Sequence, residues 1–165
     1  MSNRSARYQM VHETTPKSSM QETYIPFMPV ADVVGPCAHA VLCTEPGDCT
    51  VRLSFSNVRG APARDLLVRF DSVMACMSHA EFSHPWEAMS IAEIPRLAER
   101  WNGYAFPMLE VMDSHWLASF TDTQAIGLAR GAVRHFRFVS LDNIVDVLMY
   151  GGGVVTAEWV AVTQE

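Results

Sequence analysis

From Ala38 onward apolar and polar residues alternate, and the stretch "AHAVLCTEPGDCTVRLSFSN" predicts a β-hairpin. Pro46-Gly47 supplies a fixed φ followed by a residue tolerant of positive φ, the chemistry of a tight turn. Pairing Glu45 with Asp48 sets Leu42 opposite Val51, Ala40 opposite Leu53 and Ala38 opposite Phe55. Those six apolar side chains share one face. His39 with Ser54 and Val41 with Arg52 take the other face. Turn chemistry and alternation therefore select the same register.

The stretch "LLVRFDSVMAC" predicts a third strand, with Leu66, Val68, Phe70, Met74 and Cys76 in one parity and Ser72 as the exception. In "SIAEIPRLAERW", Ser90 and Glu93 match a capping box, and Ile91, Ile94, Leu97, Ala98 and Trp101 recur at helical spacing. Pro95 is expected to split that helix after its first turn. "FPMLEVMDSHWLASF" predicts a short strand, then a helical turn capped by Asp113 that carries Trp116, Leu117 and Phe120 inward. In "AVRHFRFVSLDNIVDVLMY", pairing Ser140 with Asn143 puts Phe138 opposite Val145 and Phe136 opposite Val147 on the buried face. The same register puts Arg137 opposite Asp146 on the other, outer face, beside His135. Gly151, Gly152 and Gly153 then lead into a final strand, "VVTAEWVAV".

The order hairpin, strand, helix, strand, short helix, hairpin, strand predicts an α+β fold with a largely antiparallel sheet and one or two short helices. Residues 1–23 are polar and aperiodic and are expected to form a mobile tail, with one domain over residues 24–165. The two prolines of "YIPFMPVADVVG" forbid a regular central strand and place that segment along the domain surface.

Composition narrows the function classes. A net charge of −6 and the lack of any basic run argue against nucleic-acid binding, which rests on neutralising phosphates. Eleven of the twelve basic residues are Arg, a bias expected of a GC-rich coding sequence. No stretch reaches the roughly 18 apolar residues of a membrane span, and the N-terminal segment lacks the apolar core of a secretion signal. A cytoplasmic setting is the expectation, with Cys37, Cys43, Cys49 and Cys76 reduced.

Candidate chemistry begins with "CMSHAEFSH", which holds Cys76, His79, Glu81 and His84. His79-Ala80-Glu81 matches the first half of the zinc-deaminase signature, but that chemistry needs a later cysteine pair and Cys76 is the last cysteine. A freestanding Cys76/His79/Glu81/His84 metal site is the alternative. On a strand, however, Cys76 and His79 differ in parity and point to opposite faces, so the favoured reading is core for Cys76 and solvated loop for the others. Cys37, His39 and Cys43 share a strand parity but stand too far apart for easy joint ligation. His115 after Asp113 reads as an outward side chain behind a helix cap. His135, Arg137 and Asp146 form a polar group on the outer sheet face and are the candidate binding residues. The sequence carries no nucleophile elbow, phosphate loop, His-Glu-x-x-His helix or dinucleotide fingerprint, and no cofactor is expected.

Taken together, "LEVMDSHWLASF" and "RHFRFVSLDNIVDVL" resemble small uncharacterised bacterial proteins, some of them immunity-protein-like. The resemblance covers residues 106–150 and rests on Ser114, Trp116, Leu117, His135, Phe136, Asp142 and Val147. It implies a fold and no catalytic residue. The expectation is a non-catalytic bacterial binding protein, possible partners being a basic protein or a second copy paired through the final strand. The alternative is a small metal-binding protein or metal-dependent enzyme built on Cys76–His84.

Overall fold

The computed structural model describes residues 21–31, 33, 35–55, 63–80, 83, 94–101, 103–120 and 132–162. Among the described residues, nine strands form two antiparallel sheets: β1 Thr23–Pro26, β2 His39–Glu45, β3 Asp48–Ser54, β4 Arg64–Phe70, β5 Val73–Ala80, β6 Met108–Met112, β7 Val133–Val139, β8 Asn143–Tyr150 and β9 Val155–Ala161. One sheet runs β1-β6-β7-β8-β5 and the other β2-β3-β4-β9. Helix among the described residues amounts to α1, His115–Ser119, a 3-10 turn at Glu99–Trp101 and the 3-10 positions Ser83 and Ala132. The molecule is thus more sheet-rich than the α+β expectation.

Both predicted hairpins hold their registers. Glu45 pairs with Asp48, Leu42 with Val51 and Ala40 with Leu53. Phe138 pairs with Val145, Phe136 with Val147 and Arg137 with Asp146. The inward faces of the two sheets meet in the main core, where Val51, Leu53, Leu66, Val68 and Phe70 pack against Met108, Phe136, Phe138, Val145 and Val147. Phe70 stitches the layers together, with ring centroids 5.1 Å from Phe136 and 5.8 Å from Phe138.

Four expectations change. The single third strand is two strands, because the chain turns at Asp71-Ser72 and leaves one sheet for the other. Ser72, the parity exception, sits at φ 56°, and β5 then pairs with β8. The helix expected at Ser90–Trp101 is not helical from Ile94 to Ala98; Arg96 instead bridges to Ala105 and the Phe106 N–H donates to the Pro95 carbonyl. Pro95 has no N–H to give a helix, and the chain uses its carbonyl in a bridge instead. Ser90 and Glu93 lie outside the described residues. Third, Ser114 rather than Asp113 caps α1, its Oγ accepting the Leu117 N–H at 3.0 Å, while Asp113 turns the chain at φ 54°. Fourth, the domain begins before residue 24: Thr23 starts edge strand β1 and Glu22 is buried. No helix among the described residues is long and apolar enough to cross a membrane.

The second face of the five-stranded sheet is covered as well. Trp116 and Leu117 of α1 pack on Val133 and Leu148, and Ile94 packs with Tyr24, Leu109 and Val111. What the alternation marks as an outer face is an interior layer.

Candidate functional site: a buried polar cluster beside a cavity

Two cross-strand rows build the site on that second face. One runs Tyr24–Val111–His135–Leu148, the next Leu109–Arg137–Asp146–Met77. His135, Arg137 and Asp146 therefore lie side by side, as the sequence register requires. Their exposure is the correction: the expected solvent-facing cluster is 2%, 0% and 0% exposed respectively. They form no surface patch, because Trp116 and Leu117 of α1, Ile94 and Ala105 lie over that face.

Burial of charge demands partners, and the cluster supplies them. The Arg137 Nε donates to Asp146 Oδ1 at 2.7 Å, and its Nη1 reaches Glu22 Oε2 at 3.3 Å and the Tyr24 hydroxyl at 3.4 Å. The Tyr24 hydroxyl donates to Glu22 Oε2 at 2.8 Å, and the other Glu22 oxygen accepts the His115 N–H at 2.8 Å. Glu22 thereby ties three elements together: edge strand β1, the start of α1 and the centre of the sheet. Burial alone would raise its carboxyl, but the Arg137 charge and the hydrogen bonds from His115 and Tyr24 outweigh that and hold it below its ordinary value. Burial, reinforced by Glu22, pushes the Tyr24 hydroxyl up. For Arg137, burial acts to lower its value, yet the carboxylates of Asp146 and Glu22 prevail and hold it raised and charged.

His135 joins this charged pair to a polar hydroxyl. Its Nε2 lies 2.8 Å from Asp146 Oδ1 and its Nδ1 lies 2.8 Å from Ser114 Oγ. The Trp116 ring meets the imidazole edge-on with centroids 5.5 Å apart, fixing the plane of the ring. Ser114 and His135 both face a cavity of about 420 Å³, walled by Val111, Leu117, Ala118 and Val133. Arg134 and Glu110 stand at the same cavity, joined by two hydrogen bonds of 2.8 and 2.9 Å. The arrangement can orient a ligand by hydrogen bonds at one end and shelter apolar atoms at the other.

The other predicted ligands scatter. Cys76 packs into the core between the sheets, while His79 lies half-buried on β5 rather than in the expected solvated loop, pairing with Ile144 and sharing the parity of Met77 on the opposite face. Glu81 and His84 lie outside the described residues. Cys37 is buried and its thiol donates to the His39 carbonyl at 3.2 Å, whereas His39 and Cys43 are exposed on β2. No group of three or more His, Cys, Asp or Glu suited to a metal ion occurs among the described residues. His115 is exposed, as expected behind a helix cap.

Sequence reasoning missed Glu22, Tyr24 and Ser114. Glu22 sits in a polar aperiodic stretch and gave no signal. Ser114 gave one, since it stands three residues before Leu117, at the ordinary N-cap spacing from an inward-facing residue. No protein-family model, curated protein or solved structure matches this chain.

Proposed function

We propose that the protein is a binding protein that takes a small ligand into the cavity beside α1. The observation that carries this reading is the cavity itself: about 420 Å³, apolar on the walls formed by Val111, Leu117 and Val133, with Ser114 and His135 on its lining. That size lies within the usual range of small-molecule sites, roughly 300–1,000 Å³. The buried Asp146–Arg137–Glu22 set fixes His135 and the start of α1, so the polar end is rigid before a ligand arrives. Ligand-observed NMR with a panel of neutral amphiphilic fragments tests it. Fragments are expected to bind the wild-type protein and to lose binding in Ala118→Trp, which fills the cavity. A folded wild type that binds none of them, or binding that survives the filled cavity, refutes the proposal.

A second reading, recognition of a basic partner protein of the immunity type, is favoured by a second, acidic cleft. Glu45, Asp48 and Asp71 line a cleft of about 360 Å³ together with Val154, which is 57% exposed. Opposite charges speed and orient such an encounter. Charge reversal at Glu45 and Asp48 should slow capture of a basic partner encoded beside this protein, with a steep salt dependence. We place this function in a bacterial cytoplasm, where Cys37, Cys43, Cys49 and Cys76, free in the structure, stay reduced.

A further inference from the structure

We propose that Ser114 is a nucleophile served by His135, and that the cavity is an acyl-ester site; this inference rests on the cavity binding a small ligand. Three observations converge. Ser114 Oγ lies 2.8 Å from His135 Nδ1, His135 Nε2 lies 2.8 Å from Asp146 Oδ1, and both Ser114 and His135 line the cavity. Nucleophile, base and orienting acid at hydrogen-bond distance, with the first two open to a pocket, are the elements of acyl-transfer chemistry.

The hydrogen-bond donors fix the direction of the relay. Asp146 Oδ1 already accepts from Arg137 Nε at 2.7 Å, and the guanidinium charge beside it favours the carboxylate form, which only accepts. The proton between Asp146 and His135 therefore sits on Nε2. In the neutral imidazole, Nδ1 then has a lone pair, which the Ser114 O–H meets as donor. The usual Ser-His-Asp order is thus kept with the two ring nitrogens exchanged. The Leu117 N–H donates to Ser114 Oγ at 3.0 Å and favours negative charge there as the proton leaves.

The step balances as follows. Ser114 Oγ adds to the carbonyl carbon of a bound ester while its proton passes to His135 Nδ1. The carbon–oxygen bond to the alcohol breaks, and the departing alkoxide takes that proton. Water, deprotonated by the same Nδ1, then attacks the acyl-Ser114, releasing the carboxylic acid and restoring the Ser114 hydroxyl. Val111, Leu117 and Val133 suit a short aliphatic acyl chain, and the volume fits an ester of small size.

The test is an ethyl fluorophosphonate probe on the full-length protein, with intact mass and peptide mapping, and release of p-nitrophenol from p-nitrophenyl acetate alongside. One phosphonyl group on Ser114 is expected. Ser114→Asn keeps a capping side chain and should remain folded by circular dichroism, yet take no label. His135→Gln should slow labelling by about 100-fold or more, the usual contribution of a general base. Asp146 is a positioning residue, and its readout is the tautomer: nitrogen NMR of His135 should show the proton moving off Nε2 in Asp146→Asn. An unchanged tautomer overturns that role. Absence of label in a folded wild type, or label that persists in Ser114→Asn, overturns the nucleophile. If amphiphilic fragments bind and Ser114 stays unlabelled, only this inference falls; if neither binds, the cavity reading falls with it.

Discussion

Replacing Arg137 with Met removes a fully buried guanidinium and leaves two carboxylates behind it. Asp146 keeps His135, and Glu22 keeps the Tyr24 hydroxyl and the His115 N–H, so neither acid is stripped bare. Both nevertheless lose their cationic partner in a site where Arg137 and Asp146 are 0% exposed. Breaking a buried pair from one side costs about 3–5 kcal/mol, because the surviving charge is left in a poor solvent. Total stabilities of domains run about 5–15 kcal/mol, so this is a large share of what holds the chain folded. At this chain length it corresponds to a fall in Tm of roughly 6–20 °C.

Arg69 provides the contrast. It bonds Glu158 at 2.5 Å, shorter than any contact Arg137 makes, but the two side chains are 50% and 54% exposed. Water screens that pair, and Arg69→Met should cost no more than about 1 kcal/mol. Urea titrations followed by tryptophan fluorescence, with midpoints compared at equal slope, measure both. Adding Asp146→Asn to Arg137→Met removes one uncompensated charge and should recover part of the loss. If Arg137→Met costs no more than Arg69→Met, the interior layer is wet and the account of this cluster is wrong.

Three further outcomes follow from the same structure. The folded Glu22 carboxyl lies below its ordinary value of 4.5, so its stabilisation is fully present above that pH and is lost as pH falls through the lower folded value; the stability gap between wild type and Glu22→Gln should therefore close under acid, measured by urea midpoints across pH. Burial pushes the Cys37 and Cys49 thiols up to about 12, and Cys76 is raised by the same cause, while Cys43 is exposed; iodoacetamide near neutral pH should modify Cys43 first and reach Cys37 and Cys49 only after denaturant, as peptide mass spectrometry will show. A Cβ at Gly151 would sit 2.8 Å from the Ala132 carbonyl oxygen, whereas one at Gly152 meets nothing within 4 Å; Gly151→Ala should cost about 1–3 kcal/mol by crowding and Gly152→Ala almost nothing, read from thermal melts.

The sheets were legible where two local signals agreed. Pro46-Gly47 and the alternation around it name the same register, and Ser140–Asn143 does so for β7 and β8, because a one-residue slip would turn every core side chain outward. Alternation also separated Cys76 from His79. Layering was harder to read. Alternation divides a strand into two faces but does not say whether the second face meets water, and a charged Arg137–Asp146 row reads as surface unless something marks it as interior.

The mark lies in β8. "NIVDVLMY" is almost continuously apolar: Val145, Val147 and Met149 face the other sheet, and Ile144 and Leu148 occupy the face that holds Asp146. A strand with one wet face has no reason to carry Ile144 and Leu148 there, whereas a strand covered on both sides does. On this argument Asp146 is interior from the sequence alone, and an interior carboxylate requires a buried cation, which Arg137 in the facing register position supplies. The partners that complete the cluster are of another kind. Glu22 and Ser114 reach it from an edge strand's approach and a helix cap, 115 and 23 residues from Arg137 along the chain, and no periodicity relates them to the sheet. Pattern therefore reveals the half of the site that lies within paired strands, and the half brought by covering segments becomes visible only once those segments are placed.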